Sequence, residues 1–397
     1  MLETLGAIPD PIAIEAWRDE VARLRAHLDW ADGPIVARVH ASGASLALAA
    51  PVDQLFTATE INEFAWARLA GHTTLMQHAP GHAAAWDDES ARQTIRAMSN
   101  AEHDDRLAAL VAESQRRGIG VLIDDDLVSI GSGSGVRSWP MLALPRITEI
   151  EWQAVHDIPL ALVTGSNGKT SCVRLLAAIE RAHGWHAAHS CTDGLYIDGE
   201  SIAAGDYSGP AGARTVLRDV RAQAAVLETA RGGILRRGIA PQHARTAIVT
   251  NISDDHFGEY GIHSLDDLGT VKLAVARALD ADGLLVLNAD DAVLRERARS
   301  VDVPIGWFSL DDGHALLRQH RTLGGATCAL RDGRLWLAEG DASHDLGAVA
   351  DMPLTFGGRA AYNIANVAAV SLAAHALGIA PHTIATASLL ETVDRVS

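Results

Sequence analysis

Short apolar segments alternate with segments of helical periodicity between about residue 158 and residue 377. The predicted strands are Leu160–Thr164, Ala224–Leu227, Thr246–Thr250, Gly283–Leu287 and Pro304–Phe308, and the predicted helices are Lys169–His183, Ala211–Arg221, Ser264–Leu279, Asp290–Ala298 and Asn363–Leu377. This alternation is typical of an α/β fold with a mostly parallel sheet and helices on both faces. Such sheets bind their ligands beyond the C-terminal ends of the strands. Residues 315–346, which are rich in glycine and turn residues, predict a small β excursion.

Residues 1–150 are predicted to form a separate, smaller α+β domain, to which the sequence assigns no role. The chain has 397 residues, which exceeds the ~250–300 at which one hydrophobic core usually stops growing. Helical periodicity marks Ile12–Leu28, Thr57–Leu69 and Asp88–Arg117, and two short strands follow around a turn within 120–130. We interpret the glycine-rich stretch 131–135 as a flexible loop, because no convincing helix follows it.

Charge and composition exclude several classes of protein. The formal net charge is −17, which argues against a nucleic-acid binder or a binder of anionic membranes. The N-terminus lacks a basic segment followed by an apolar one, and no stretch approaches the ~20 apolar residues of a membrane span. The three cysteines fit neither a disulfide framework nor a zinc site. We therefore expect a cytoplasmic protein.

The segment 164–171, TGSNGKTS, lies between a predicted strand and a predicted helix. Its glycines let backbone N–H groups converge on an anion, and the start of the helix adds its positive dipole end. Lys169 is expected to reach the β- and γ-phosphates of a nucleotide, and the Thr170 hydroxyl to bind Mg²⁺. The residues predicted to bind the nucleotide here are Gly165, Ser166, Asn167, Gly168, Lys169, Thr170 and Ser171, and we call them the phosphate loop.

A second group of polar residues closes the predicted strand that ends near residue 228. A carboxylate at the end of a buried strand is costly unless it meets a cation, so Glu228 is a candidate Mg²⁺ ligand opposite the phosphate loop. Arg231 follows three residues later. It pairs either with a phosphate or acyl phosphate, or with a carboxylate in a simple salt bridge.

The third group follows the strand Thr246–Thr250. We interpret His256, which stands beside Asp254 and Asp255, as a metal ligand, with a helix or turn cap as the alternative. Lys272 lies sixteen residues further along. Its predicted helix, Ser264–Leu279, directs it toward the same strand ends if that helix packs on the sheet.

The chain contains two lysines, Lys169 and Lys272, against thirty-one arginines. An arginine replaces lysine wherever a solvated positive charge is enough, but not where a compact or modifiable amine is needed. Both lysines fall inside motifs, which favours a functional role for each.

Four further residues stand where a strand or loop passes into a helix. Asn288 and Asp290 are interpreted as nucleoside contacts, with a helix cap as the alternative. Asn363 and Asn366 lie one helical turn apart and therefore on one face of their helix.

Taken together, these motifs resemble the ATPase domain of the Mur ligase superfamily, whose compact TGSNGKT loop replaces the general Walker pattern. Within the superfamily, the segments TDGLYIDG (192–199), GDYSGP (205–210), ETARGGILRRG (228–238) and DDLGTVK (266–272) resemble the Mur-like half of the cyanophycin synthetases. The resemblance implies that residues 151–397 form a Mur-ligase-type ATP-binding domain, a P-loop sheet of the Mur ligase central type.

The resemblance implies an ATP-dependent ligase. ATP phosphorylates a carboxylate of an amino acid or peptide, and an amine attacks the acyl phosphate to give an amide; aspartate- and arginine-like substrates are suggested. Lys169, Glu228, Arg231, His256 and Lys272 would be catalytic. Thr170, Glu228 and His256 would hold Mg²⁺, and Lys272 matches a family lysine that is often carbamylated. Asn288, Asp290, Asn363 and Asn366 would contact adenosine.

Mur-type ligases usually carry a third domain after the Asn363–Asn366 helix, and the sequence ends at Ser397. We therefore expect a fragment, a partner chain or homo-oligomer that completes the site, or chemistry without this domain. Two alternatives to the ligase stay open. One is a catalytically incomplete Mg-ATP-binding subunit, and the other is a P-loop kinase or NTPase.

Overall fold

The computed structural model describes residues 2–5, 8–40, 42–69, 87–254, 258 and 262–390. The chain divides into two compact units. The smaller comprises residues 1–113, 144–149 and 258–262, and the larger comprises 114–143, 150–257 and 263–397. The predicted boundary near residue 150 stays a prediction, although residues 114–143 group with the larger unit. No helix in the described ranges is long and apolar enough to cross a bilayer.

The smaller unit combines helices with a short antiparallel sheet. Its elements are β1 (Leu2–Leu5), α1 (Pro11–His27), β2 (Ile35–His40), β3 (Gly43–Leu48), α2 (Leu55–Leu69), α3 (Asp88–Glu102) and α4 (Asp105–Arg116), the last of which ends in the larger unit. Among the described residues the strands pair in the order β1-β3-β2. Its core contains Trp17, Ile61 and Ile95, all fully buried, and the Trp17 indole donates a hydrogen bond to Asn62 Oδ1 at 2.9 Å.

The single helix predicted for Asp88–Arg117 is wrong, because the chain breaks between α3 and α4. His103 leaves helical geometry, and the Asp104 carboxylate accepts hydrogen bonds from the backbone N–H groups of Arg106 and Leu107 at 2.8 and 3.1 Å. An aspartate that accepts from the first turn in this way caps a new helix.

The larger unit contains the predicted α/β domain. Its elements are β4 (Val121–Ile123), β5 (Leu127–Ile130), β6 (Arg137–Pro140), β7 (Leu160–Thr164), α5 (Lys169–His183), β8 (Ala187–Cys191), β9 (Gly194–Ile197), β10 (Glu200–Ala204), α6 (Pro210–Leu217), β11 (Ala224–Glu228), α7 (Arg231–Arg237), β12 (Ala244–Val249), α8 (Leu265–Lys272), β13 (Leu279–Asn288), α9 (Ala292–Arg297), β14 (Ile305–Ser309), α10 (Ala315–Thr322), β15 (Ala326–Arg331), β16 (Arg334–Glu339), β17 (Ala342–Ala348), α11 (Ala361–Ala376) and α12 (Pro381–Leu390).

The predicted, mostly parallel sheet is confirmed. Within the described residues it has eleven strands in the order β10-β9-β8-β11-β7-β12-β13-β14-β15-β16-β17. The seven neighbouring strands β8-β11-β7-β12-β13-β14-β15 pair in parallel. The outer strands, β9 and β10 at one edge and β16 and β17 at the other, pair antiparallel. Glu228 of β11 pairs with Val163 of β7, and Thr164 of β7 pairs with Val249 of β12. The three central strands therefore end at the same edge.

Both faces of the sheet are buried, as strands between two helix layers require. Val163, Val226 and Ile248 on one face share a core cluster with residues of α5, α11 and α12. The alternate residues, such as Leu162 and Leu227, point to the opposite face and are equally buried.

Three local expectations differ from the structure. The predicted helix Ser264–Leu279 is a shorter α8 followed by a 3₁₀ segment over 273–278, and this segment, more than α8, packs on β12 and β13. The stretch 131–135, expected to be a flexible loop, forms a 3₁₀ turn with buried Gly133 and Gly135. The β excursion over 315–346 contains α10 and extends the main sheet through β15–β17.

Glu180 on α5 makes the stability of the fold depend on pH. It is fully buried, and neither carboxylate oxygen has a hydrogen-bond partner among the described residues. Burial raises the pKa of Glu180 well above its usual range, with only partial opposition from Arg181. The unfolded chain ionises this carboxyl near pH ~4.3, whereas the folded chain keeps it protonated. The contribution of Glu180 to stability is therefore full below that pH and is lost as the pH rises toward the folded pKa.

We expect Glu180→Gln to stabilise the protein more at about pH 8 than at about pH 5, because glutamine cannot ionise in the unfolded chain. The difference is bounded by about 1.4 kcal/mol per pH unit. Denaturant unfolding at both pH values measures it. The exposed Glu200 provides a matched control, and Glu200→Gln should leave the pH dependence unchanged. An equal effect of Glu180→Gln at both pH values would contradict the prediction.

Candidate nucleotide and metal site

The phosphate loop joins β7 to α5 through two glycines that the structure requires. Gly165 and Gly168 have φ values of +143° and +83°, which side-chain-bearing residues rarely adopt. A Cβ on Gly165 would lie 1.8 Å from Thr250 Oγ1, and one on Gly168 would lie 2.4 Å from Asn366 Oδ1. The loop therefore packs too closely on its neighbours for any side chain at either position.

Residues after β12 hold the phosphate loop from one side. The Ser166 N–H donates to Asn251 O at 2.9 Å, and the Asn167 N–H donates to Asn251 Oδ1 at 3.1 Å. The Thr250 hydroxyl donates to Asn167 O at 2.6 Å. These bonds fix the loop before any ligand arrives. The sequence motif contained Thr250 and Asn251 but gave no sign of this supporting role.

The first turn of α5 presents donors at the open side of the loop. The first N–H groups of a helix have no acceptor within it, and here they belong to residues that include Lys169, Thr170 and Ser171. The half-buried Lys169 donates from Nζ to Ser166 O at 3.0 Å, so its ammonium group is kept beside the loop. Backbone donors, a helix dipole and an ammonium at one point form a site suited to phosphate.

Glu228, which the sequence predicts to lie opposite the phosphate loop, contacts that loop at Thr170, and its role as a metal ligand stays a prediction. Its carboxylate is 2% exposed and accepts from Thr170 Oγ1 at 2.9 Å. Thr192 donates to the same carboxylate from its hydroxyl at 2.8 Å and from its backbone N–H at 3.3 Å. These donors are neutral groups of two threonines. A buried carboxylate without a cation is costly, and a bound metal ion would remove that cost.

The donor set at this point suits Mg²⁺. The Thr170 hydroxyl and the Glu228 carboxylate are hard oxygen ligands, and Mg²⁺ at nucleotide sites takes one or two protein oxygens together with phosphates and water. No group of three His, Cys, Asp or Glu side chains arranged to hold a metal occurs in the described ranges. His256, the third predicted ligand, lies outside the described residues, and its role stays a prediction.

Arg231 and Lys272 lie on two helices that pack against each other. Arg231 begins α7, three residues after Glu228, and is buried. Lys272 ends α8 and is 1% exposed, which makes it one of the largest fully buried side chains among the described residues. The main packing partners of α8 are α7, α9 and the 3₁₀ segment that follows it. The predicted direction of Lys272 toward the strand ends, which assumed that its helix packs on the sheet, stays a prediction.

The predicted nucleoside residues fall into two internal networks. Asn288 donates from Nδ2 to Thr250 O at 3.2 Å, and its Oδ1 accepts the Asp290 N–H at 2.9 Å. The Asp290 carboxylate accepts from Ser309 Oγ at 2.6 Å and from the Leu310 N–H at 2.8 Å. The cap of α9 is Asp291, so the last residue of the segment 285–291 meets the helix-cap alternative, whereas the nucleoside role of Asn288 and Asp290 stays a prediction.

Asn363 and Asn366 form the second network. Both are buried. Asn363 donates from Nδ2 to Leu354 O at 2.7 Å, and its Oδ1 accepts from Asn366 Nδ2 at 3.3 Å. The structure thus brings Asn366 to the phosphate loop and joins its Nδ2 to Asn363, and the nucleoside role of both residues stays a prediction.

Comparison with known proteins identifies the class to which this site belongs. Residues 163–374 match the Mur ligase middle domain. This is more than half of the chain, and the chain belongs to that family. The resemblance inferred from the motifs is therefore confirmed.

The individual relatives are ligases and cyanophycin synthetases. The chain is 41% identical over 217 residues to a cyanophycin synthetase of Trichormus variabilis, covering 55% of this chain and 24% of that protein. A cyanophycin synthetase of Geminocystis herdmanii is 35% identical over 266 residues, with 65% and 30% covered. The UDP-N-acetylmuramoyl-L-alanyl-D-glutamate–2,6-diaminopimelate ligase of Xanthomonas campestris pv. campestris is 31% identical over 237 residues, with 56% and 43% covered. Each match spans less than half of the relative's length.

Proposed function

We propose that this chain is the ATP-binding part of a ligase that joins a carboxylate to an amine. The observation that carries the proposal is the contact between the loop and the buried acid. Thr170 Oγ1 lies 2.9 Å from Glu228 Oε2, at the end of the sheet where the phosphate loop presents its donors. The names of the cyanophycin synthetase and ligase relatives support the choice of amide-bond formation.

The proposed reaction has two steps. A carboxylate oxygen of an amino acid or peptide attacks the γ-phosphorus of ATP, the bond from that phosphorus to the β,γ-bridging oxygen breaks, and ADP leaves. An amine nitrogen then attacks the acyl carbon, the bond to the phosphate oxygen breaks, and phosphate leaves as the nitrogen loses a proton. Phosphoryl transfer of this kind needs positioning and charge neutralisation more than proton chemistry.

The residues of the chain divide these tasks in the proposal. The phosphate loop and Lys169 orient the triphosphate, while Thr170, Glu228 and His256 would hold Mg²⁺, which neutralises phosphate charge when bound. Arg231 would meet the acyl phosphate, and a carbamylated Lys272 would supply a further carboxylate. Asn288, Asp290, Asn363 and Asn366 remain proposed nucleoside contacts. Since ATP is the substrate, we propose a cytoplasmic location. We also propose that a partner chain or a second copy of this chain completes the site.

A hydroxylamine trap tests the proposal directly. The protein is incubated with Mg-ATP, a carboxylate series led by aspartate and short peptides, and hydroxylamine, and both ADP and hydroxamate are measured. Hydroxamate supports an acyl-phosphate intermediate, because hydroxylamine attacks that species. ADP without hydroxamate would identify a kinase or NTPase. Nucleotide binding without any ADP would identify an incomplete subunit.

Thr192 is the site residue that sequence reasoning missed, and its role in the proposal can be measured. Removing a hydrogen bond to a charged group costs about 1.5–3 kcal/mol. We therefore expect Thr192→Val to raise the Mg²⁺ concentration needed for half-maximal ATP turnover by roughly tenfold or more, since Glu228 loses its 2.8 Å bond from Thr192.

Two variants control this prediction. Thr192→Ser keeps the hydroxyl and should restore the Mg²⁺ response of the parent. Thr215→Val removes an exposed threonine hydroxyl that bonds only within α6 and should have no effect. An unchanged Mg²⁺ requirement in Thr192→Val would show that the contact does not position Glu228.

A further inference from the structure

The Asn251 side chain holds both backbone groups of one residue of the phosphate loop. Its Oδ1 accepts the Asn167 N–H at 3.1 Å, and its Nδ2 donates to Asn167 O, also at 3.1 Å. These are the two bonds that a residue of a paired antiparallel strand would make. Asn167 directly precedes Gly168, the N-terminal cap of α5. The amide of Asn251 therefore fixes the backbone just before the first N–H groups of that helix.

The backbone that carries this amide is itself held on both sides. Asn251 O accepts the Ser166 N–H at 2.9 Å, and the N–H of the next residue, Ile252, donates to Asp291 Oδ2 at 2.6 Å. The other carboxylate oxygen of Asp291 caps α9. Asn251 thus belongs to a segment that is tied both to the phosphate loop and to the start of a helix, and it takes its position without a ligand.

A second side chain of the same segment reaches Asn167, but at a different group. Ser253 Oγ accepts a hydrogen bond from Asn167 Nδ2 at 3.0 Å. This contact holds the Asn167 side chain, whereas Asn251 holds its N–H and shares its C=O with the Thr250 hydroxyl, which lies at 2.6 Å. The two contacts allow the effect of holding the backbone of the loop to be compared with the effect of holding a side chain.

We infer that Asn251 is a positioning residue that preorganises the phosphate loop for the triphosphate, acting through the backbone of Asn167. The inference rests on the proposed function in so far as the loop must bind phosphates. Without the Asn251 amide the free loop would populate further conformations, and the apparent affinity falls by the fraction of protein in the competent one. Because the loop backbone contacts phosphate and not the base, the loss should be the same for ligands with any base or none.

Calorimetry with three probes tests this inference. It measures the Kd of the parent and of Asn251→Ala for Mg-ATP, Mg-GTP and Mg-tripolyphosphate, of which the last has no base. We expect the Kd of all three probes to rise by the same factor, on the order of tenfold, because two hydrogen bonds to the loop are lost. Unchanged Kd values would overturn the inference, and so would a loss confined to ATP.

Three further variants serve as comparisons. Ser253→Ala removes the contact to the Asn167 side chain and should raise the three Kd values much less than Asn251→Ala; an equal rise would overturn an action through the backbone. Asn100→Ala shortens an exposed asparagine of α3 and should change none of them. Should Asn251→Ala fail to fold, Asn251→Ser gives a milder truncation with the same expected pattern.

Hydrogen exchange of the free protein measures the order of the loop directly. Peptides that cover residues 164–171 should exchange faster in Asn251→Ala than in the parent, since local opening of the loop costs less. Saturation with Mg-tripolyphosphate should slow the exchange again. Parent-like exchange in the free variant would contradict preorganisation by Asn251. A parent that binds neither ATP nor tripolyphosphate would overturn the proposed function as well, whereas a parent that binds both and an unresponsive variant would overturn this inference alone.

Discussion

Replacing Lys169 with alanine is expected to lower ATP turnover by at least about 10²–10³-fold, the usual loss when one preorganised electrostatic contact to a transition state is removed. The Lys169 ammonium stays beside the phosphate loop through its 3.0 Å bond to Ser166 O. Its side chain is half-buried and lies outside the core, so the variant should remain folded. ADP release at saturating ATP and thermal unfolding measure the two effects.

Arg299→Ala is a matched control for Lys169→Ala. It also removes one cationic side chain. Arg299, however, is exposed, lies in the 3₁₀ turn that follows α9, and pairs with Glu296. Its ADP release should equal that of the parent. Lys169→Arg should resemble Lys169→Ala, because a guanidinium is a wide fork where the loop offers room for a compact ammonium. ADP release near the parent rate in Lys169→Ala would show that catalysis does not use this loop.

Local chemistry explains which elements could be predicted from the sequence. The bounds of β7 and α5 are those expected, because glycines mark both ends of α5, and β7 consists of four apolar residues followed by Thr164. The ends of β11 and β13 shift by one or a few residues. The largest error, the helix Ser264–Leu279, lies where the apolar run 273–278 suits both a helix and a packed 3₁₀ turn. Periodicity alone does not separate these two.

The part of the candidate site that could be predicted is the one where burial of a charged residue costs free energy. An acid that closes a buried strand needs a cation or hydrogen-bond donors, and that reasoning brought Glu228 to Thr170, which is 58 residues away in sequence. Thr192 belongs to the segment 192–199 but was assigned no role, because a threonine is tolerated almost anywhere. Its hydroxyl gains significance only when the pairing of β8 with β11 places it beside Glu228.

Contacts between residues that are far apart in the sequence could not be predicted from local sequence patterns. The approach of Asn366 to Gly168 depends on the packing of α11 on α5, which no spacing of residues encodes. The sequence could state that Asn363 and Asn366 share a helix face, but it could not show what that face contacts. The same holds for Asn251, whose backbone and side chain both hold the phosphate loop.

Replacing Lys272 with arginine is expected to lower turnover by about 10–100-fold or more, the usual effect of losing a group that supports a metal site. Lys272 is 1% exposed at the end of α8. Carbamylation changes the charge: the amine nitrogen bonds to the carbon of CO₂, a proton leaves, and a carboxylate results. Arginine is bulkier and does not undergo this reaction at neutral pH, because its guanidinium stays protonated.

The chain allows a direct test of the proposed carbamate, because Lys169 and Lys272 are its two lysines. The parent in ¹³C-labelled bicarbonate should give one lysine carbamate signal by NMR besides any from the N-terminal amine, and this lysine signal should persist in Lys169→Ala and disappear in Lys272→Arg. Removing CO₂ from the buffer should lower ADP release in the parent, and bicarbonate should restore it. Near-parent turnover in Lys272→Arg, or a signal that survives that substitution, would contradict carbamylation at Lys272 while leaving the phosphate loop and its contact with Glu228 intact.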